Sequence, residues 1–338
     1  MLHDMSTMKS TVGISKPVRV GLIGVGGHAR QILIPAMQQV PEKLQPVILA
    51  TARPDTARQM GERYRLPFCV GHEALLKNPD VEAVIIASHD HEKHAIDALQ
   101  AGKHVFTETP GITTRSGAES IRKLTRESGL VYQVGSCLRY APVYQKLLSL
   151  LTESRGRHPG PRTFGVRYYP YVGHFHNLLL YLGGDMTRVL SVVHPDNSSA
   201  TSLFKFVSGD VANITWCSFH NVSLAYESVE ILHPSGRMIV EDGRALRVDL
   251  TPPDRAVHPY AMGFNTAEAQ VFQSTFSIPY GQNEQLYLRG YTPELEDFVR
   301  CIREKGKPLC GVDDAEKTML VGQAVGRSTA AGGQWETL

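Results

Sequence analysis

The run Val18–Ile23 passes directly into Gly24-Val25-Gly26-Gly27-His28-Ala29, and this junction constrains the fold more than any other part of the chain. A short apolar strand followed by G-x-G-x-x-A opens a strand-turn-helix unit. The first glycine permits the tight turn, the second lets backbone N–H groups approach a pyrophosphate, and Ala29 allows close packing of helix on strand. Taken alone the motif is weak. Here a second apolar run, Val47–Ala50, follows within about 30 residues, which is the context that makes it a dinucleotide-binding signature.

The same rhythm continues. Apolar runs Val81–Ser88, His104–Thr107 and Val131–Val134 alternate with amphipathic stretches His28–Gln39, Asp55–Tyr64, His91–Ala101 and Thr114–Glu127. Strands apolar on both faces, separated by helices, predict an α/β doubly wound parallel sheet. After about Leu150 the pattern changes to alternating strands: Thr163–Tyr169, Thr201–Val207, Val211–Phe219, Ser228–Leu232, Arg237–Val240 and Ala245–Leu250. Turn signals such as Ser208-Gly209-Asp210 and Asp242-Gly243 separate several of them, so an open, mostly antiparallel sheet is expected.

A helix over Gly173–Leu182 interrupts these strands. Two more close the chain, Pro293–Glu304 with Thr292 as N-cap and Asp314–Thr329 with Asp313 as N-cap. The stretch Thr251–Leu288 has no clear period and reads as a binding segment. The expected organisation is a flexible N-terminal tail (1–16), a Rossmann dinucleotide-binding domain (17–137) and an α+β domain for substrate binding and oligomerisation (138–338).

A carboxylate at the tip of the second strand would accept hydrogen bonds from a free ribose 2′-hydroxyl. The chain offers Ala50-Thr51-Ala52-Arg53 instead. Thr51 and Arg53 suit a 2′-phosphate, so NADP(H) is favoured over NAD(H) by charge complementarity.

The cluster Ser88-His89-Asp90-His91-Glu92-Lys93-His94 resembles the H-x-H-x-D-H of metallo-β-lactamase-like hydrolases, but Lys93 occupies the aspartate position. An ammonium beside a dication is repulsive, and no metal site is expected. These residues should instead lie at the carboxyl end of a sheet strand, with Ser88, His89 and His94 bordering the cofactor together with Gly24, Gly26, Gly27, His28 and Ala29.

Lys+Arg 35 against Asp+Glu 33 gives a formal net charge of +2, with no block of like charge, so nucleic-acid and membrane-surface binding lack an electrostatic basis. The five scattered cysteines contain no C-x-x-C pair, which suits a reducing compartment. The polar leader lacks the apolar core of a signal peptide, and a cytoplasmic location is the expectation.

The segment Ala98-Leu-Gln-Ala-Gly-Lys-His-Val-Phe-Thr-Glu108-Thr109-Pro110 resembles the "AGKHV..EKP" segment of the glucose-fructose oxidoreductase and inositol dehydrogenase family, Gfo/Idh/MocA. Gln133 to Tyr144, Gly173 to Asp185 and Tyr291 to Val299 are similar to later motifs of that family. The resemblance implies a Rossmann domain followed by a domain whose open sheet forms a homodimer or homotetramer contact. It also implies oxidoreductase activity on a small polar substrate.

The departures bear on mechanism. The lysine of E-K-P is Thr109, which supplies no cationic donor. The aspartate that family members carry three residues after the motif histidine is Asn177, and the one four residues before it is Pro170. His174 is therefore the acid/base candidate, taken at an ordinary imidazole pKa of about 6.5, with Asn177 on its helical face and Tyr171 near enough to donate to a substrate oxygen. Family analogy puts Glu108 beside the ribose or nicotinamide. The expected function is NAD(P)(H)-dependent hydride transfer at a secondary hydroxyl or carbonyl of a sugar, cyclitol or similar molecule. The alternatives are a non-catalytic dinucleotide- or sugar-binding regulatory protein of the same fold and a cofactor-assisted lyase or glycosidase.

Overall fold

The computed structural model describes residues 16–157, 160–168, 174–218, 227–234, 236–250, 269–273 and 284–338. The predicted N-terminal tail therefore lies almost wholly outside the described residues, as does Tyr171.

The first sheet is built from β1 (Val18–Ile23), β2 (Leu44–Thr51), β3 (Phe68–Val70), β4 (Ala83–Ile86), β5 (His104–Thr107) and β6 (Tyr132–Val134). Its order is β3-β2-β1-β4-β5-β6, with every described pairing parallel. β4 is buried along its whole length, as the continuous run Ala83-Val-Ile-Ile requires of a strand covered on both faces. Chain order reverses between β1 and β4, which places the switch point, where such sheets bind ligands, at the carboxyl end of β1.

The helix expected over His28–Gln39 is not one uniform α-helix. Pro35 has no N–H to give to the preceding turn. The backbone is wound as a π segment over Ala29–Leu33 and restarts as α over Ile34–Gln38, with Pro35 in the first turn, where no donor is needed. The helix Pro54–Tyr64 opens at Arg53, and Arg115–Ser128 opens at Thr114, whose hydroxyl accepts from Gly117 N–H at 2.9 Å.

The second sheet contains β7 (Thr163–Tyr168), β8 (Met186–Val193), β9 (Ser199–Phe206), β10 (Val211–Cys217), β11 (Glu227–His233), β12 (Gly236–Glu241), β13 (Ala245–Leu250), β14 (Ala269–Gln273) and β15 (Glu336–Thr337). Among the described residues its order is β14-β13-β12-β11-β7-β10-β9-β8-β15, antiparallel except for the β7–β10 pair. β9 alternates buried and exposed residues, so one face is packed and the other open. Helices Pro142–Arg157, His174–Gly183 and Val312–Ala330 supply apolar side chains to the packed face: Tyr144 and Leu147, Leu178 and Leu179, Val321 and Ala324.

Both closing helices start earlier than their sequence signals suggest. Gly290, not Thr292, caps Tyr291–Glu304, because the Thr292 hydroxyl donates to Gln39 Oε1 at 2.5 Å on another helix. Gly311, not Asp313, precedes Val312–Ala330, and Asp314 reaches back to accept from the Gly311 N–H at 3.2 Å. The patternless stretch Thr251–Leu288 contains β14 and a helix over Glu284–Leu288; the rest of it is outside the described residues.

Candidate active site

The glycine turn is fixed from both sides. Gly24 N–H donates to Ala50 O of β2 at 2.9 Å, and Ala87 N–H donates to Ile23 O at 2.8 Å. Gly24 has φ +85°, and a Cβ on it would stand 2.7 Å from Ala87 O, so no side chain is tolerated there. At Gly26 and Gly27 a Cβ would meet nothing within 4 Å. These two residues hold open the space into which a pyrophosphate would fit against the loop.

Two depressions flank the turn. The smaller is lined by Gly24, Thr51, Gly71, His72, Ser88 and His94. Ser88 Oγ and His94 Nδ1 are 2.7 Å apart, His72 Nε2 and Asp97 Oδ2 are 2.7 Å apart, and the two imidazole centroids are separated by 4.2 Å. Thr51 Oγ1 donates to Arg53 O at 2.9 Å, and the exposed Arg53 stands at the head of helix Pro54–Tyr64. His89 is exposed and lines neither depression, against the expectation that it borders the cofactor. Glu92 of the histidine cluster accepts from the Thr113 and Thr114 N–H groups at 2.7 and 2.9 Å, and no metal-holding group of three or more His, Cys, Asp or Glu occurs among the described residues.

The larger depression lies between the glycine turn and the second sheet. His28 and Gln31 contribute from the first domain, His174 and Tyr168 from the second, with Arg289 and Glu227 at one side. Arg289 Nη1 is 3.1 Å from Glu227 Oε1, which also accepts from Tyr144 Oη at 3.2 Å. The ring of Tyr291 packs edge-on against His28 at 5.8 Å between centroids.

His174 is the first residue of its helix and faces this space. Its imidazole does not have the ordinary pKa assumed from sequence. Burial, with the charges of His28 and Arg289 adding to it, brings it down to about 4, so the ring is neutral near pH 7. A neutral imidazole offers one N–H donor and one acceptor nitrogen.

Asn177 is not brought to the pocket. It is buried, its Oδ1 accepts from Arg139 Nε at 2.5 Å and its Nδ2 donates to Thr318 Oγ1 at 2.8 Å, so its amide ties helices together. Thr109 is partly exposed in the cis Thr109–Pro110 link and lines neither depression.

Glu108 stands immediately after β5, and its Oε1 lies 3.6 Å from His28 Nε2 of the glycine turn. Burial pushes its pKa up to about 7. Glu294, on helix Tyr291–Glu304, is 1% exposed, and burial together with the charge of Glu108 raises it well above the carboxylate range.

Sequence reasoning missed Arg289, Glu227, Tyr291 and Glu294. Arg289 and Glu227 carry no local signal, since their neighbours in space are remote in the chain, and the motif segment Tyr291–Val299 marked a closing helix without marking Tyr291 or Glu294 as pocket or buried acid residues. The sequence puts His28 beside the cofactor only; the structure also sets it in the wall of the larger depression.

A parallel sheet of order 3-2-1-4-5-6 with a glycine turn at its switch point, joined to a mixed sheet across a pocket lined by His28, His174, Glu227 and Arg289, defines a two-domain protein with a Rossmann dinucleotide-binding fold. Residues 18–136 match the Gfo/Idh/MocA family, described as "Oxidoreductase family, NAD-binding Rossmann fold".

Among similar proteins are dTDP-3,4-didehydro-2,6-dideoxy-alpha-D-glucose 3-reductase of Actinomadura kijaniata, 32% identical over 141 residues, 41% of this chain and 42% of the relative. Inositol 2-dehydrogenase of Acidothermus cellulolyticus is 31% identical over 152 residues, 43% of each chain. The match thus spans less than half the length of these curated relatives. Over the whole fold, levoglucosan dehydrogenase in complex with NADH and levoglucosan superposes with a TM-score of 0.77 at 20% identity, covering 95% of this chain and 99% of that one. Among the described residues no helix is long and apolar enough to cross a membrane.

Proposed function

We propose that the protein is a nicotinamide-dependent oxidoreductase acting at a secondary hydroxyl or carbonyl of a sugar, cyclitol or related small polar molecule. The observation that carries this reading is one pocket walled by His28 of the glycine turn and by His174 of the second domain. A dinucleotide held by Gly24–Ala29 would have this pocket beside it as the place for its nicotinamide end and a small substrate. The sugar and cyclitol names of the relatives agree with this class of substrate.

Gly24, Gly26, Gly27 and Ala29 would hold the pyrophosphate against open backbone, and Ser88 and His94 would wall the adenosine ribose. NADP(H) is the preferred form, because no carboxylate stands at the tip of β2, while Thr51, Arg53 and the head of helix Pro54–Tyr64 can meet a 2′-phosphate. When bound, the cofactor supplies the hydride chemistry.

The chain's own residues orient the substrate and handle its proton. His174, neutral at pH 7, presents an N–H to a carbonyl oxygen or an acceptor nitrogen to a hydroxyl. Arg289, held by Glu227, offers further donors to substrate oxygens. The protein is further proposed to be cytoplasmic and to assemble as a homodimer or homotetramer through the open face of the second sheet. Val192, Leu203, Val211 and Leu232 are exposed there, and the strand register puts them on one face.

Thr109 in place of a lysine favours a second reading, a non-catalytic dinucleotide- or sugar-binding regulatory protein. One set of measurements separates the two. NADPH should raise the melting temperature more than NADH, and a panel of sugars and ketones should change the reduced-nicotinamide absorbance. His174→Ala should abolish that turnover and leave cofactor affinity intact. Tight cofactor binding with no turnover on any substrate would favour the regulatory reading, and a clear NADH preference would overturn the assignment to Thr51 and Arg53.

A further inference from the structure

Glu108 follows the end of β5 and Glu294 lies in the first turn of helix Tyr291–Glu304, and the charge of Glu108 acts on the buried Glu294. Among the described residues, Glu108 Oε1 and Glu294 Oε2 are both buried without a hydrogen-bond partner, and so is Gln133 Oε1, while the Gln133 Nε2 donates to Glu294 O at 2.7 Å. Three acceptor oxygens with no donor assigned to them are costly if the carboxyls are ionised. A proton held by the pair relieves this, because a protonated carboxyl supplies one O–H donor.

The groups facing the pair do not neutralise it otherwise. His28 approaches Glu108 from the glycine turn, and burial lowers its basicity. Cys137, Tyr140 and Tyr291, which face Glu294, are all raised by their surroundings and stay uncharged at pH 7. The Ser136 backbone N–H gives Glu294 partial help. No lysine follows Glu108, since Thr109 stands there.

We infer that the Glu108–Glu294 pair is a proton site coupled to the charge of the nicotinamide ring: it keeps its proton when the reduced, neutral ring is bound and releases one when the oxidised, cationic ring is bound. This rests on the reading that the chain binds a nicotinamide dinucleotide along Gly24–Ala29. His28 touches Glu108 on one side and lines the substrate pocket on the other. In the reducing direction a carbonyl gains a hydride at carbon and a proton at oxygen. The pair holds such a proton through His28, and the ring that becomes cationic in the same step favours its release. Glu108 thereby holds a proton that His28 can pass toward the pocket that His174 also lines, and Glu294 is a positioning residue that keeps Glu108 protonated.

The test needs no substrate. Calorimetric titrations of the full chain with NADP⁺ and with NADPH, each in buffers of different ionisation enthalpy, count the protons exchanged on binding. Phosphate protons common to both cofactors cancel in the difference. Near pH 7, NADP⁺ should release about half a proton or more beyond NADPH, and its Kd should fall about tenfold relative to that of NADPH between pH 6 and pH 8. Infrared difference spectra should show loss of a protonated-carboxyl band with NADP⁺ only. Glu108→Gln, nearly isosteric, should bind both cofactors with the proton difference and the band change gone. Both cofactors binding the wild type with equal proton counts would overturn the inference and leave cofactor binding standing. No binding of either would overturn both. A proton difference that survives in Glu108→Gln would place the proton elsewhere.

Discussion

Glu108 illustrates how a single carboxyl can weaken a fold in order to serve a site. Its pKa is about 7 in the folded chain against an ordinary 4.5. Below pH 4.5 both folded and unfolded states hold the proton, so it has no effect on stability. As pH rises from 4.5 toward 7 the unfolded chain releases the proton and the folded chain keeps it, so stability is lost across that window and levels off above it. Glu108→Gln lacks this penalty. In cofactor-free protein its melting temperature should match the wild type near pH 4.5 and exceed it progressively to pH 7.5, with a ceiling of about 3 kcal/mol. The neutral histidines His174 and His176, both down at about 4, act in the opposite sense as pH falls below 6.5, but they are present in both proteins and cancel. A difference independent of pH would mean that Glu108 is ionised in the folded state. The motif resemblance singled out Glu108 but could not expose this property. Burial by a helix that begins at Tyr291 and the approach of Glu294 are contacts across more than 180 residues.

The helix His174–Gly183 carries two tasks at once, and its spacing alone did not separate them. His174 and Phe175 turn to the pocket, while Asn177 is drawn to the nearly fully buried Arg139, whose guanidinium also meets Asp314 at 2.9 Å and Leu309 O. Asn177→Ala removes a charge-assisted hydrogen bond and the bond to Thr318, and should cost about 2 to 3 kcal/mol of stability in denaturant melts while cofactor affinity stays unchanged. Lost affinity with unaltered stability would return Asn177 to the site. Elsewhere legibility followed burial. β1, β5 and β13 have the bounds that their apolar runs predict, because each residue's character reports which face it occupies. β3 escaped detection: Phe68 and Val70 are 44% and 50% exposed on a three-residue edge strand, so no burial pattern exists to be read. The π segment over Ala29–Leu33 was hidden for a different reason, since an apolar period survives a local change of winding that Pro35 imposes on the hydrogen bonds.

At the scale of the molecule, the change of rhythm after about Leu150 suggests two independent units, yet the chain does not stay in the second one. Helix Tyr291–Glu304 inserts Leu295, Phe298, Val299 and Cys301 into the core of the first sheet beside Val20, Leu22 and Phe106, with the Phe106 and Phe298 rings edge to face at 5.8 Å. The last helix, Val312–Ala330, packs Ala315 against the opposite face of that sheet and Val321 and Ala324 into the core of the second. Each half is thus incomplete without residues near the C-terminus, and unfolding either strips the other of buried apolar surface, the main stabilising term. Calorimetry should therefore show one cooperative transition, with calorimetric and van't Hoff enthalpies agreeing. A dinucleotide that binds only the folded chain should move that entire transition upward. Two resolved transitions, with only the one belonging to the first sheet shifted by cofactor, would show that the closing helices do not couple the halves. The same coupling predicts that a fragment ending at residue 137 fails to fold, because the face covered by Phe298 and its neighbours would be open to water.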